Sequence, residues 1–418
     1  MKKKRQTVFR LGLLRVRELC RRLGDPQNSM QFVHVAGTNG KGSASVMLYE
    51  VLLQAGYRAG LYTSPYLVRE NEEIRAAGRE ITDAELAALR QTVKNAAQGM
   101  EDAPTDFEET TALAFLYFKE MGCEIAVVEV GLGGSGDATN VIPPPAVCMI
   151  MNMALEHTNY LGSTLEEIAR VKAGIIKEGC DVVLYPGKEE ILKVFLDTCG
   201  EMHARAQIMD PGEAVILQAD LTGSDFLFRG RKMHINLPGR HQVRNAVMVC
   251  LAAECLGKRG FRIDEESVRE GLARAVWPAR MELLREDPVF LLDGAHNLQC
   301  MQALEEGLAD FLPGKKIVFL FGILADKAVD PMIDLLIPHA SQFVCFTPDN
   351  LRALPVDALA ERIRGRGVPA CIARDPEEAV RLAQELADGG PVCACGSLYM
   401  AGPIREIFLS SLDGERTV

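Results

Sequence analysis

At 418 residues, with 48% hydrophobic and 25% charged residues, the chain has the size and composition of a soluble globular protein of two or three domains. Its formal net charge of −11 argues against the phosphate backbone of a nucleic acid as a partner. No apolar run is long enough to span a bilayer, and the basic start, Lys2-Lys3-Lys4-Arg5, is followed by no apolar stretch of the secretory kind, so it reads as a solvated tail.

Helical spacing of Leu and Val from Leu11 to Leu23 ends at Gly24-Asp25-Pro26. A strand, Phe32 to Ala36, then runs into Gly37-Thr38-Asn39-Gly40-Lys41-Gly42-Ser43, and a helical pattern begins near Ser45. Ala59 to Tyr62 is a short strand leading to Thr63-Ser64-Pro65, and the acid-rich stretch from Arg69 to Glu80 reads as a loop or hairpin. Helices are predicted from Asp83 to about Ala97, with Thr82 as N-cap, and from Phe107 to Met121. Ile125 to Val130 and Val147 to Met151 are apolar strands; a helix from Leu165 to about Ile176 and a strand at 182–184 follow. This alternation implies an α/β fold with a doubly wound, mostly parallel sheet.

From Ala204 to Leu237 the pattern becomes short alternating strands with turns at Gly223 and Gly230, a small antiparallel patch. Helices at 242–256 and 264–273 precede Trp277-Pro278-Ala279-Arg280, the linker candidate, so the domains are expected at 1–279 and 280–418. Strand 289–292, helix 298–311 and strand 316–321 open a second α/β unit, continued by strands near 343–346 and 392–394. None of the twelve cysteines forms a CxxC pair. Cys123, Cys148, Cys250 and Cys345 lie in apolar stretches and Cys393 and Cys395 on one strand face, which predicts reduced core thiols in a cytoplasmic protein and no structural zinc.

Strand, glycine-rich turn and helix are the arrangement that binds phosphate. Backbone N–H groups approach the oxygens, the helix N-terminus adds positive character, Lys41 adds a full charge, and Ser43 offers a hydroxyl to magnesium. The usual spelling places Ser or Thr directly after the Lys; here Gly42 intervenes. Sheets of this kind hold ligands at the C-terminal ends of their strands, where Lys41 with Ser43, Ser64, Glu129, and Glu156 with His157 all fall. Each alone has a structural explanation, such as a cap or a hydrogen-bonded loop residue. A carboxylate inside Ala126-Val127-Val128-Glu129-Val130 is harder to account for that way, because burying an unpaired charge is costly. A magnesium ion shared by Ser43, Glu129, His157 and phosphate oxygens would satisfy it.

The order of motifs is similar to that of folylpolyglutamate synthases, within the broader Mur ligases. Leu11-Gly-Leu-Leu-Arg-Val, Leu23-Gly24-Asp25-Pro26-Gln27, and His34 through Ser43 resemble the family's start. Thr63-Ser-Pro65, Glu129-Val-Gly-Leu-Gly-Gly134, Asp137-Ala-Thr-Asn140, Leu161-Gly-Ser-Thr164 and Ile168 through Lys177 continue the match. Leu237 through Ala246, Trp277-Pro-Ala-Arg280, Asp293-Gly-Ala-His-Asn297 and Gly396 through Gly402 complete it.

The resemblance implies an N-terminal P-loop ATPase domain, a C-terminal Rossmann-like domain, and ATP-dependent addition of L-glutamate to a folate or pteroate carboxylate through an acyl phosphate. By the same resemblance Lys41, Glu129, His157 and Lys172 are catalytic, and Lys172 carries a carbamate and joins Ser43, Glu129 and His157 around two magnesium ions. Residues Gly37 to Ser43, Asn245, Arg280, Asp293 and His296 are then ATP contacts, and Ser64, Asp137 and Ser397 face the substrates. A monomer with no nucleic-acid or membrane partner is expected.

The match departs from the family pattern at Tyr66, where His is usual, at Glu70 and Glu73 in place of an aromatic residue and Arg, at Ser135 in place of Arg, and at Glu156 in place of Asp. Asp326-Lys327-Ala328 lacks a second Asp. In the family these loops at 66–73 and 135 face the pterin-bearing substrate, so acids there are expected to weaken folate binding. Two alternatives stay open: a Mur-type ligase acting on another carboxylate, and a P-loop NTPase without ligase activity.

Overall fold

Apolar strands of four to six residues, such as Gln31–Ala36 and Val147–Ile150, need cover on both faces, and the chain supplies helices to both. The computed structural model describes residues 10–415, so Lys2-Lys3-Lys4-Arg5 lies outside the described residues. The first unit contains α1 (Leu14–Arg22), β1 (Gln31–Ala36), α2 (Lys41–Gln54), β2 (Ala59–Tyr62), the hairpin β3 (Ile74–Ala76) and β4 (Arg79–Glu80), α3 (Asp83–Ala97), α4 (Asp106–Glu120) and β5 (Ile125–Glu129). It continues with β6 (Val147–Ile150), α5 (Thr158–Leu161), α6 (Leu165–Ala173), β7 (Asp181–Leu184), α7 (Glu189–Glu201) and β8 (Arg205–Ile208). These strands form one eight-stranded sheet in the order β4-β3-β2-β5-β1-β6-β7-β8, parallel except at the β3 and β4 edge. A three-stranded antiparallel sheet, β9 (Ala214–Asp220), β10 (Gly223–Phe228) and β11 (Arg231–Ile235), precedes α8 (Arg240–Lys258) and α9 (Glu265–Arg274).

Alternation along β1 sorts the core. Val33 and Val35 pack with α2, α8, α9 and the small sheet, while Phe32 joins Phe115 and Phe118 of α4 on the other face. Cys148, Ile150, Val182 and Leu184 extend that second face beneath α6 and α7.

The second unit comprises β12 (Glu282–Arg285), β13 (Phe290–Leu292), α10 (Leu298–Phe311), β14 (Ile317–Phe321), α11 (Val329–Leu336), β15 (Ala340–Cys345), α12 (Val356–Arg364), β16 (Ala370–Ile372), α13 (Pro376–Ala387), β17 (Val392–Cys395) and α14 (Leu398–Glu415). Its sheet runs β12-β13-β17-β14-β15-β16, with only the β12 edge antiparallel. Cys393 and Cys395 share the face that packs with Phe319, Phe321 and Phe343, as their spacing predicted. All twelve cysteines are free, and among the described residues no helix is long and apolar enough to cross a membrane.

Three local expectations change. The 205–208 segment, expected in the antiparallel patch, pairs in parallel with β7 and closes the large sheet's edge. The sequence reading named no helix between β7 and β8, yet α7 covers β6 and β7 with Ile191, Val194 and Phe195. Helix α2 starts at Lys41 rather than near Ser45, because Gly40 adopts φ 86° and caps it inside the turn.

Close packing of α9 on α2 depends on a missing side chain. A Cβ at Gly271 would sit 2.4 Å from Val51 Cα and N. Gly271→Ala is expected to destabilise the protein by about 1–3 kcal/mol, as overpacking does. Gly257→Ala, in α8 with open space around it, should instead stabilise by about 0.5–1 kcal/mol through helix propensity. Paired urea denaturation curves check both; equal behaviour of the two variants would contradict the packing account.

Candidate active site

The register of β1 places its neighbours' ends beside the glycine-rich turn. Val35 lies opposite Glu129 of β5, and Ala36 opposite Ile150 of β6. The chain leaves β1 toward β2 on one side and leaves β5 toward β6 on the other, so a crevice opens between β1 and β5 at their C-terminal ends. The turn Gly37 to Ser43 occupies it.

Lys41 Nζ donates to Thr38 O at 3.0 Å and stands 3.8 Å from Glu129 Oε1. Glu129 is 5% exposed, and its Oε2 accepts the Ser64 N–H at 3.4 Å. Burial pushes this carboxyl above its ordinary value, with Lys41 opposing. Lys172 reaches in from α6, also 5% exposed, and donates to Gly37 O at 2.7 Å. Burial brings its amine down to about 7, so a large fraction is neutral near physiological pH. His157 sits at φ 52°, and burial lowers its ring to about 4 against the pull of Glu156. Thr38, Lys41, Gly133, Glu156, His157 and Lys172 line one cavity.

Ser43 is buried, and its hydroxyl accepts from Gln242 Nε2 at 3.3 Å. Gln242 Oε1 accepts in turn from Asn245 Nδ2 at 3.0 Å. Asn245 lies so close to the turn that a Cβ at Gly40 would come within 2.6 Å of its Oδ1. The sequence reading singled out Asn245 and missed Gln242; their three-residue spacing on one helix face was the available signal.

Asp137 is 3% exposed and turned into its own loop. Oδ2 accepts the Leu132 N–H at 2.7 Å, and Oδ1 accepts the Thr139 N–H at 3.0 Å and the Thr139 hydroxyl. With its hydrogen directed at the carboxylate, that hydroxyl's oxygen accepts from His34 Nε2 at 2.9 Å. His34 is therefore the Nε2–H tautomer, with Nδ1 buried and unpartnered, and burial with nearby Lys177 holds its ring down to about 3. This chain shapes the glycine loop 131–134; Asp137, expected at a substrate, is occupied within the loop.

In the second unit, Asp293 Oδ2 accepts the Met281 N–H and Oδ1 the Ala295 N–H, each at 2.7 Å. Burial raises this carboxyl, and Arg280 and the two N–H groups oppose. Arg280 donates to Ala279 O at 2.8 Å, and His296 Nδ1 meets Gly294 O at 2.7 Å. Ser397, 1% exposed, accepts the Tyr399 N–H at 3.2 Å in the first turn of α14. The linker touches the turn directly: a Cβ at Gly42 would lie 2.8 Å from the Trp277 ring.

Besides an ion pair between Arg240 of α8 and Asp310 of α10 at 2.8 Å, two groups of contacts cross between the units at the cavity, and neither was read from the sequence. Asn39 Nδ2 donates to Gln299 Oε1 at 2.6 Å, while Asn39 Oδ1 accepts from Asn297 Nδ2 at 2.9 Å. Glu156 Oε1 lies 3.1 Å from Lys327 Nζ and 3.6 Å from His296 Nε2. Burial alone would raise the Glu156 carboxyl; His296, Lys327 and His157 reverse that and hold it well below the usual carboxylate range.

The departures at 66–73 take a specific form. Glu70 pairs with Arg90, Glu73 Oε1 accepts the Tyr66 N–H at 3.1 Å, and Glu72 accepts from the N–H groups of Leu67, Val68 and Arg69. Glu70 and Glu73 are engaged in holding the loop. Tyr66 in this loop and Ser135, just after the glycine loop 131–134, are exposed.

Comparison with known proteins covers nearly the whole chain. A Mur ligase middle domain model matches residues 35–253, and a Mur ligase glutamate ligase domain model matches residues 279–398. The chain is 36% identical over 414 residues to a dihydrofolate synthase/folylpolyglutamate synthase of Bacillus subtilis (strain 168), covering 94% of each. It resembles the crystal structure of Mycobacterium tuberculosis folylpolyglutamate synthase complexed with ADP and AMPPCP, with TM-score 0.88, 30% identity and 96% of each chain covered. A solved FPGS–AMPPCP–folate complex is similar at TM-score 0.84 and 30% identity, with 97% of each chain covered.

The lowered amine of Lys172 has a consequence for stability. Its folded value, about 7, lies below its ordinary 10.5, so the unfolded chain takes up the proton first as pH falls. The resulting penalty is absent above about pH 10.5, grows as pH falls to about 7, and is constant below. In metal-free buffer purged of carbon dioxide, Lys172→Met should therefore gain on the wild type in denaturation midpoint as pH falls from 10 to 7. A difference independent of pH across that window would contradict a buried, neutral amine.

Proposed function

This chain belongs to the Mur ligase family, and we propose that it joins L-glutamate to the carboxylate of a folate or pteroate, using ATP and passing through an acyl phosphate. The observation that carries this reading is the cavity in which Lys41, at the N-terminus of α2, stands with half-buried His157 and buried Lys172. A folate carboxylate oxygen attacks the γ-phosphorus and the bond to ADP breaks. The glutamate nitrogen then attacks the acyl carbon, the carbon–oxygen bond to phosphate breaks, and the nitrogen loses a proton.

Neither step needs a nucleophilic side chain. Both need position and charge neutralisation. The N–H groups of the turn and Lys41 hold phosphate oxygens, and Lys41 stabilises the charge that moves onto the ADP side.

Magnesium suits the donor types present, although among the described residues no three His, Cys, Asp or Glu side chains are gathered as a metal cluster. Ser43 and Glu129 offer oxygen and His157 nitrogen, and the buried Glu129 carboxylate is met by a long N–H contact from Ser64 and by Lys41 at 3.8 Å. Bound there, the ion would supply neutralisation of phosphate charge. Two such ions are proposed, with Lys172 carried as a carbamate: its neutral amine can add carbon dioxide, forming an N–C bond with loss of one proton.

Asn245, Arg280, Asp293 and His296 are assigned to the nucleotide, Ser64 to the acceptor and Ser397 to the incoming glutamate. Asp137 serves the acceptor through the loop it organises. The boundary is placed at 279/280, with the linker at Trp277 as hinge for closure over ATP. A cytoplasmic monomer with reduced thiols, no nucleic-acid partner and no membrane partner completes the proposal.

ADP release measured with glutamate and, in turn, dihydropteroate, tetrahydrofolate and a peptidoglycan precursor tests the reading. Glutamate-dependent release with at least one pteridine is expected. Silence with both pteridines and release with the precursor would overturn it in favour of a different acceptor.

A further inference from the structure

Between the two units, apart from a solvent-exposed Arg240–Asp310 pair, polar contacts converge on two residues of the ATP-side wall. Asn39, inside the phosphate turn, exchanges hydrogen bonds with Asn297 and Gln299 at the start of α10. Glu156, in the cavity wall beside His157, meets Lys327 at 3.1 Å and His296 at 3.6 Å. The side chains of Lys327 and Glu156 are only 13% and 12% exposed. Lys327 lies in the loop after β14, which is itself fixed by the Leu324 to Ala353 bridge and by Arg352 on Asp326 at 2.8 Å. The ion pair thus links a braced loop of one unit to the wall of the other unit's reaction cavity.

We propose that Lys327 is a positioning residue that, through Glu156, holds the second unit closed over the acyl phosphate until the amine of glutamate has attacked. The proposal rests on the ligase reading above. The pair exists only while the units are together; exclusion from water strengthens its attraction there and also costs desolvation of both charges, so that removing one partner leaves the other buried and unpaired in the closed form. Asn39 makes the phosphate turn itself part of the same seam. An acyl phosphate has two fates. Attack by nitrogen releases phosphate and forms the amide; attack by water releases phosphate and regenerates the carboxylate, so ATP is consumed without product. Closure decides between them by excluding water.

The test is the ratio of ADP released to glutamylated product, at saturating glutamate, in wild type and in Lys327→Met, Lys327→Gln, Lys327→Arg and Glu156→Gln. The wild-type ratio should be near one. Lys327→Met and Lys327→Gln should raise it several-fold and lower kcat/KM for glutamate by about tenfold or more, the scale of a broken shielded pair. Lys327→Arg should restore the ratio. Glu156→Gln should match the neutral lysine variants, and the Lys327→Met/Glu156→Gln double variant should be no worse than either alone. A ratio that stays near one in both neutral lysine variants, with wild-type ligation intact, overturns the clasp alone. Wild-type protein that releases no ADP with glutamate and either pteridine overturns the ligase reading, and the clasp with it.

Discussion

A lysine amine buried behind the phosphate turn is the constraint on which the rest of the first unit depends. Lys172 donates to the carbonyl of Gly37, and so ties α6 to the turn at the end of β1. Burying an amine without a carboxylate against it is unfavourable for the charged form, which is why its value falls to about 7. Lys41, Lys172 and Glu156 line the cavity, and Glu129 stands 3.8 Å from Lys41. The site is poised for phosphates and cations because its own charges are left incompletely paired.

That arrangement requires an order of strands. Only when β5 and β6 flank β1 do Glu129 and the segment carrying Glu156 and His157 come alongside the turn. The glycine loop after β5 is then fixed from below by the His34, Thr139 and Asp137 chain, whose inner end is a bare ring nitrogen in the core. Each part is local chemistry; the parallel sheet brings them together. The linker and the second unit complete the enclosure: Trp277 of the linker lies against Gly42, α10 against Asn39, and Lys327 against Glu156.

Much of this was legible in the sequence, for identifiable reasons. Continuous apolar runs gave the buried strands, and Thr82 with Glu85 forms the capping box that starts α3 where the pattern placed it. The turn at Gly37 to Ser43 was recognisable from its residue types. Pairings across long sequence separations were not legible, because nothing local encodes them. Lys327 finds Glu156 across 171 residues, and Asn39 finds Gln299 across 260. Glu70 and Glu73 read as acids facing an acceptor, but Arg90 and the Tyr66 N–H hold them within the fold. The chemical character of a side chain is visible in sequence; whether that character is already spent on a neighbour is not.

The central claim is that a carboxylate oxygen of the acceptor becomes bonded to the γ-phosphorus of ATP. Folate labelled with oxygen-18 in the reacting carboxylate tests it most directly, by mass analysis of the inorganic phosphate released during ligation. The account predicts one labelled oxygen transferred to phosphate for each amide formed. Phosphate free of label, with amide formed normally, would contradict it.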